Sequence, residues 1–264
     1  MDKGENRMQE TMTGEHRLKI DQICRAAQLI LENGGETYRV EETALRMAKG
    51  FGLQNVNIAA FPTSIFVEVD GHMRVTRINR RGTNTTKLER TNSVSRSVER
   101  GELTAQQAKE ELERIAQLPG LPQRVLVAAW GLTAGSFSLL FGGGVGVFLA
   151  SFLIGMLVQA VQPLFSRMEM GGLFGSFTGG LLTAFLAQSA AAVIPYGNVN
   201  AAIAGGIMPL LTGLLMTTAM RDTMYGDLVS GMTRAVEALL LAASVALGVY
   251  TGLQAAAMMG GVLL

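Results

Sequence analysis

The second part of the chain is almost free of charge, and this limits what it can fold into. A soluble domain of comparable length would carry about a quarter charged residues. All but three of the 22 lysine and arginine residues lie at or before Arg124. The charged residues of the remainder are Arg167, Glu169, Arg221, Asp222, Asp227, Arg234 and Glu237. The two parts of the chain are therefore suited to different solvents, and the second part is suited to lipid.

Long apolar windows follow one another through this second part. A helix needs about 20 apolar residues to cross the roughly 30 Å of a bilayer core. Five windows qualify: 125–141, 144–161, 173–194, 201–220 and 235–259. The alternative is the core of a soluble helical protein, but five uncharged windows leave no polar faces to meet water. We therefore predict a membrane α-helical bundle of about five transmembrane helices.

The arginines of this part fall in alternate connections, which predicts an orientation. The connections at 142–144 and 195–200 are uncharged. The connection at 162–172 holds Arg167, and the connection at 221–234 holds Arg221 and Arg234. Short loops that carry Lys and Arg stay in the cytoplasm. We therefore predict a multi-pass protein of the cell (plasma or inner) membrane with a cytoplasmic N-terminus. An even number of spans is the main alternative.

Small residues recur four apart in the predicted spans. The pairs are Gly131 and Gly135, Gly142 and Gly146, Gly171 and Gly175, Gly175 and Gly179, and Gly248 and Gly252. Such spacing favours close helix packing in lipid. The alternative is a set of broken helices along a substrate path, as in many transporters. Pro209 lies well inside a predicted span, where proline interrupts the helical hydrogen bonds.

The first part of the chain reads as a small soluble domain. We predict a flexible tail at 1–14, a cytoplasmic α/β domain at 15–120, and the transmembrane domain at 121–264. Apolar spacing and capping residues predict helices at 15–33, 37–49, 86–100 and 104–116. Alternating patterns predict strands at 56–61, 64–69 and 73–78. Asp70-Gly71 is typical of a hairpin turn, and Thr104 with Gln107 is typical of a capping box.

The densest polar cluster of the apolar part lies between the last two predicted spans. Its ionisable members are Arg221, Asp222, Asp227, Arg234 and Glu237. Ionisable residues near membrane depth tend to line pathways or to pair with one another. We predict a substrate or ion pathway here, in which Arg221 pairs with Asp227 and Arg234 shares a helix face with Glu237. The alternative is a solvated cytoplasmic loop whose arginines set the topology.

A second cluster follows Gly34-Gly35 in the soluble part. It consists of Glu36, Tyr38, Arg39 and Glu41. We predict these four residues as candidate site residues of the cytoplasmic domain. The alternative is that they only form a charged helix N-terminus, since acidic residues favour that end. Neither cluster contains a catalytic arrangement, and we expect no metal and no cofactor. His16 and His72 have no partners at metal-ligand spacing. The net charge of +1 gives no reason to expect nucleic acid.

Several short motifs occur in a characteristic order. They are Leu29-Ile-Leu-Glu-Asn-Gly-Gly-Glu36 with Tyr38-Arg39-Val40-Glu41; the hairpin with Arg74 and Arg77; Gly101-Glu-Leu-Thr-Ala-Gln-Gln-Ala108; and Pro209 followed by Arg221-Asp222, Gly226-Asp227, Ser230-Gly231, Arg234 and Glu237-Ala238. Together they resemble the N-terminal half of the threonine/serine exporter family, over roughly residues 15–260.

This resemblance implies transport of a small-molecule substrate across a lipid bilayer. Full-length members carry a second membrane region, so the resemblance implies a split form in which a separate, smaller membrane protein supplies the other half. One such two-protein system is associated with succinate export. We therefore expect a subunit of an ion-gradient-driven exporter of carboxylate-bearing metabolites, such as threonine, serine or a succinate-like compound. The alternatives are a membrane-anchored hydrolase-like enzyme and a regulatory subunit; homo-oligomerisation is also open.

Overall fold

The computed structural model describes residues 3–167, 172–193 and 197–260, and these form two compact units. The first unit comprises Met1–Gly120 and Thr217–Arg234. The second comprises Leu121–Met216 and Ala235–Leu264. The first unit thus includes Thr217–Arg234, which the sequence assigns to the predicted transmembrane domain at 121–264. The domain boundaries drawn from the sequence stay predictions.

The first unit contains four helices and a sheet from the N-terminal part of the chain. The helices are α1 (Lys3–Glu32), α2 (Thr37–Gly50), α3 (Thr85–Glu99) and α4 (Ala105–Ala116). The strands are β1 (Val56–Phe61), β2 (Ser64–Val69) and β3 (His72–Arg77). All seven predicted elements of this region are present. Helix α1 begins at Lys3 rather than near Glu15, so it is longer than the apolar spacing indicates.

The sheet is an antiparallel meander in the order β1-β2-β3. Asp70 and Gly71 have positive φ angles of 49° and 81°, the backbone that a tight hairpin turn requires. Phe66 of β2 lies opposite Val75 of β3. The alternate residues of β2 are Ile65, Val67 and Val69, and all three are buried. The predicted hairpin and its alternation are therefore confirmed.

One apolar core holds the helices and the sheet of this unit together. Ile23 and Ile30 of α1, Met47 of α2 and Leu112 of α4 are fully buried in it. Burial of each such side chain contributes about 1.5–3 kcal/mol. The predicted capping box of α4 is also present, because Thr104 and Gln107 hydrogen-bond each other's backbone N–H groups.

Every regular element that the structure describes in the second unit is a helix. Its elements are α5 (Gln123–Leu140), α6 (Val145–Arg167), α7 (Gly172–Val193), α8 (Val199–Ile207) and a 3-10 turn (Met208–Leu210). Helices α9 (Gly213–Met224) and α10 (Leu228–Gly260) each have residues in both units. Parts of two predicted connections, residues 168–171 and 194–196, lie outside the described residues.

Two helices of the described chain are long and apolar enough to cross a membrane. They are Val145–Leu164 within α6 and Leu228–Met259 within α10. A third candidate arises if the bent pair Val199–Leu210 and Gly213–Met224 counts as one span. Helices α5 and α7 occupy the other two predicted windows. The chain is thus a mostly helical membrane protein, and the number of five spans stays a prediction.

The interruption predicted at Pro209 is confirmed. Helix α8 ends at Ile207, Pro209 lies in the 3-10 turn, and Leu211 is extended with ψ at 128°. Proline lacks a backbone N–H, and its ring conflicts with the carbonyl of the preceding turn. The helix therefore stops here and resumes as α9 at Gly213.

Glycines four apart mark the closest helix contacts of the second unit. A Cβ on Gly131 would lie 2.8 Å from the carbonyl oxygen of Phe152, so α5 and α6 approach to backbone contact. A Cβ on Gly248 would lie 2.0 Å from the Phe177 oxygen, and one on Gly252 would lie 2.4 Å from the Leu181 oxygen. The pairs Gly131 with Gly135 and Gly248 with Gly252 therefore pack as their spacing predicts, whereas a Cβ on Gly142 would meet no atom within 4 Å.

Candidate functional site

Two segments that are far apart in sequence meet inside the first unit. One is the N-terminus of α2, and the other runs from the end of α9 through a short turn into the start of α10. We call the charged residues that join them the arginine–carboxylate cluster. Its members are Glu36, Arg39, Arg221, Asp222 and Arg234. The structure therefore brings members of both predicted clusters into one site: Glu36 and Arg39 from the first, and Arg221, Asp222 and Arg234 from the second.

A glycine turn shapes the α2 side of the cluster. Gly34 has a φ of +91°, which favours glycine over other residues. A Cβ on Gly35 would lie 2.4 Å from Cγ2 of Ile30 and 2.9 Å from its carbonyl oxygen, so a larger residue does not fit. The Gly35 carbonyl oxygen accepts a hydrogen bond of 2.9 Å from Nη2 of Arg234.

Asp222 and Arg234 form the buried centre of the cluster. Their exposed fractions are 0% and 3%. Oδ2 of Asp222 and Nε of Arg234 lie 3.0 Å apart as an ion pair, although they lack the alignment of a hydrogen bond. Oδ1 of Asp222 accepts a hydrogen bond of 3.0 Å from the backbone N–H of Thr37. Asp222 thus caps the positive end of α2 from α9.

Glu36 forms the outer part of the cluster with two arginines. Nη1 of Arg221 donates to Oε1 of Glu36 at 2.7 Å, and Nη1 of Arg39 lies 3.5 Å from Oε2. The Glu36 side chain is only 5% exposed, whereas those of Arg221 and Arg39 are 60% and 43% exposed. The carboxylate is therefore buried, whereas both arginine side chains are partly exposed to solvent.

The surroundings of Glu36 keep its carboxylate charged. Burial would raise the pKa of Glu36, but hydrogen bonds from its own backbone and from Arg221, with the charges of Arg39 and Arg221, lower it. Because the folded-state pKa lies below the unfolded value, the charged form stabilises the fold above that unfolded value. This stability is lost as pH falls through the lowered pKa. The pair between Glu36 and Arg221 is therefore intact at neutral pH.

An aromatic stack joins the same two segments. The rings of Tyr38 and Tyr225 have centroids 4.0 Å apart and planes inclined by 13°. Burial, followed by the charge of Glu36, raises the pKa of Tyr38. Tyr225 precedes Gly226, whose φ of +91° turns the chain from α9 into α10. The stack therefore holds the first turn of α2 against the turn between α9 and α10.

The side chains of Asp227 and Glu41 bond to groups outside this network. Asp227 does not pair with Arg221 as predicted: its Oδ1 accepts from the Ser230 backbone N–H at 3.2 Å and caps α10, while Arg221 pairs with Glu36. Glu41 accepts from the Ala60 backbone N–H at 2.9 Å. Burial, and then the charge of Asp227, raises the pKa of Glu41.

Glu237 lies three residues after Arg234 on the same helix, and its part in the site stays a prediction. It lies on α10 and is half-buried. The sequence identifies the charged members of the cluster but misses three groups that complete it. These are the Gly35 carbonyl, the Thr37 backbone N–H and Tyr225, and only Tyr225 has a side chain that pattern reading could have flagged.

Comparisons with known proteins agree with the motif order. The family model for threonine/serine exporters matches residues 21–256. A threonine/serine exporter of Corynebacterium glutamicum is 26% identical over 246 residues, which cover 88% of this chain and 50% of that protein. A protein of Mycobacterium tuberculosis, named a probable threonine/serine exporter, is 27% identical over 247 residues, which cover 90% of this chain and 46% of that protein.

The chain spans about half the length of the curated relatives it matches. Both relatives are named as exporters and not as enzymes. No solved structure matches this chain. The chemistry of the site must therefore be read from its own geometry, in which a buried ion pair supports two solvent-facing guanidinium groups.

Proposed function

Because this chain belongs to the threonine/serine exporter family, we propose that it is a subunit of a secondary exporter of small carboxylate-bearing metabolites. Threonine, serine and a succinate-like dicarboxylate are the candidate substrates. An ion gradient, which we take to be of protons, drives the export. A smaller membrane protein supplies the second half of the transporter.

The proposed arrangement places residues 15–120 in the cytoplasm and residues 121–264 in the plasma membrane. The five apolar windows cross the bilayer, so the connection between α9 and α10 lies on the cytoplasmic side. The connections that hold Arg167, Arg221 and Arg234 alternate with uncharged ones, and this pattern supports the orientation. The substrate would then reach the arginine–carboxylate cluster from the cytoplasm before it is exported.

One observation carries the proposal. The two guanidinium groups of Arg39 and Arg221 converge on one carboxylate and keep their outer faces in solvent. Guanidinium groups bind carboxylates through paired N–H donors, and this geometry suits a planar anionic group. All candidate substrates share a carboxylate. The cluster also includes residues of α9 and α10, and both helices have residues in the second unit.

Substitution of Arg221 by Ala is expected to reduce export at least about tenfold, the effect of losing an interaction with a charged group of roughly 1.5–3 kcal/mol. The chain and its partner are reconstituted in proteoliposomes, and efflux of threonine, serine and succinate is measured under a pH gradient. Arg100→Ala is the matched control, because Arg100 is 55% exposed and also pairs with a glutamate, Glu102. That control should export like the wild type.

If the Arg221→Ala variant exports as fast as the wild type at equal protein levels, the cluster does not take part in transport. That result would favour the regulatory role, in which the partner alone forms the pathway. Absence of flux for all three compounds in the wild-type pair would contradict the export proposal itself.

A further inference from the structure

We propose that Arg39 and Arg221 form a carboxylate-binding site whose resident occupant is Glu36, and that the substrate carboxylate displaces Glu36 from Arg221. This inference rests on the proposed export function and deepens it. The ligand of the site is a carboxylate, and the Glu36 side chain competes with it for Arg221.

The first support is the convergence of two cations on a single anion. Arg221 reaches Oε1 of Glu36 at 2.7 Å, and Arg39 lies 3.5 Å from Oε2. A guanidinium group has five N–H donors, and Arg221 uses one of them on Glu36. Both arginines therefore have donors left for a second carboxylate that arrives from solvent.

The second support is the contrast between the two ion pairs of the cluster. The pair of Asp222 with Arg234 is almost completely buried, so its partners have no access to a competing ligand. Arg221 is largely exposed, and solvent weakens the attraction of an exposed arginine for its partner. The buried pair therefore holds the site together, while the outer pair can exchange one carboxylate for another.

The third support is the way in which the two arginines are held. Arg39 follows Tyr38 on α2. Arg221 lies on α9, four residues before Tyr225, which directly follows that helix. The stacked rings of Tyr38 and Tyr225 join these two elements. The arginines consequently stay within reach of one carboxylate when Glu36 leaves, because their spacing does not depend on Glu36 alone.

The proposal predicts an unusual sign for a substitution in a binding site. Glu36→Gln removes the resident anion, so succinate and threonine should bind about tenfold more tightly, as expected when an occupant blocks roughly nine-tenths of the sites. Binding is measured by titration calorimetry on the full chain with its partner in lipid nanodiscs. Glu42→Gln is the control, because Glu42 lies on the same helix, is 59% exposed and pairs with Arg46.

Two further variants separate the ligand site from a folding effect. Arg39→Gln in the Glu36→Gln background should reverse the gain in affinity. Arg221→Lys keeps the charge but loses the planar fork of donors, so it should bind both probes more weakly than the wild type. The unfolding temperature of each variant is recorded to show that the first unit is intact.

Unchanged or weaker binding in a folded Glu36→Gln protein would overturn the inference, as would the absence of binding in every variant. Failure of the export proposal looks different. In that case Glu36→Gln binds the probes more tightly, but the wild-type pair moves none of them across the proteoliposome membrane.

Discussion

Asp222→Asn lowers the free energy of unfolding of the first unit by about 3–5 kcal/mol, the range expected when one partner of a buried ion pair is removed. Asp222 has no exposed surface, and Arg234 is 3% exposed. The substitution leaves the Arg234 charge buried beside a neutral amide. It also weakens the cap on α2, because an amide oxygen is a poorer acceptor for the Thr37 N–H than a carboxylate.

Thermal unfolding of the purified chain in detergent measures this loss. The control is Asp21→Asn, which removes an acid of the same unit whose side chain and that of its partner Arg74 are 36% and 44% exposed. Exposed pairs contribute about 0–1 kcal/mol, so the control should lose little stability. Equal stability losses in both variants would show that Asp222 is not the buried centre of the cluster.

A double variant separates stability from function at the same position. Asp222→Leu combined with Arg234→Met replaces both charges with apolar groups, which is often neutral or stabilising for a buried pair. We expect this double variant to be more stable than Asp222→Asn. Export should nonetheless stay low, because the bond from Arg234 on α10 to the Gly35 carbonyl and the bond from the Thr37 N–H to Asp222 on α9 are both lost.

Gly248→Ala is expected to destabilise the second unit by about 3 kcal/mol or more, at the upper end of the range for overpacked positions. The new Cβ would lie 2.0 Å from the Phe177 carbonyl oxygen and 2.9 Å from the Leu181 nitrogen. Both are backbone atoms that no side-chain rotation can move. Helices α7 and α10 must therefore separate, and the contact at Gly252 opens with them.

Folded yield after detergent extraction, measured by size-exclusion chromatography, checks this expectation. Gly213→Ala is the matched control, since a Cβ there meets no atom within 4 Å. The control should therefore keep about the stability of the wild type. A normal yield from Gly248→Ala would mean that α7 and α10 do not touch at this position.

The helices and strands of the N-terminal part were predictable because their determinants are local. The hairpin at Asp70-Gly71 requires only a turn that tolerates positive φ between two alternating segments. The capping box at Thr104 requires only two side chains three residues apart. The helix break at Pro209 is also local, but the residue type alone does not decide it, since Pro163 lies inside α6 without ending that helix. Each of these signals lies within a few positions of the structure it specifies.

The site was predictable in its charged residues and not in its pairing. The arginines and acids stand out in an apolar stretch, but the partner of Arg221 lies 185 positions away at Glu36. Local spacing favoured Asp227, which instead caps α10. Backbone groups such as the Thr37 N–H and the Gly35 carbonyl carry no sequence signal. Tertiary packing therefore decided which charges met and which became caps.

A crosslink tests most directly whether the N-terminus of α2 and the turn between α9 and α10 meet in the arginine–carboxylate cluster. The protein carries Tyr38→Cys and Tyr225→Cys in a Cys24→Ser background, since Cys24 is the only native cysteine. The two tyrosine rings are 4.0 Å apart, so a short bismaleimide should join the pair. Proteolysis between the sites should then leave both fragments in one band on a denaturing gel, while either single-cysteine variant gives separate fragments. Separate fragments from the double variant, when both cysteines react with a monofunctional maleimide, would contradict a site built from α2 and the turn between α9 and α10.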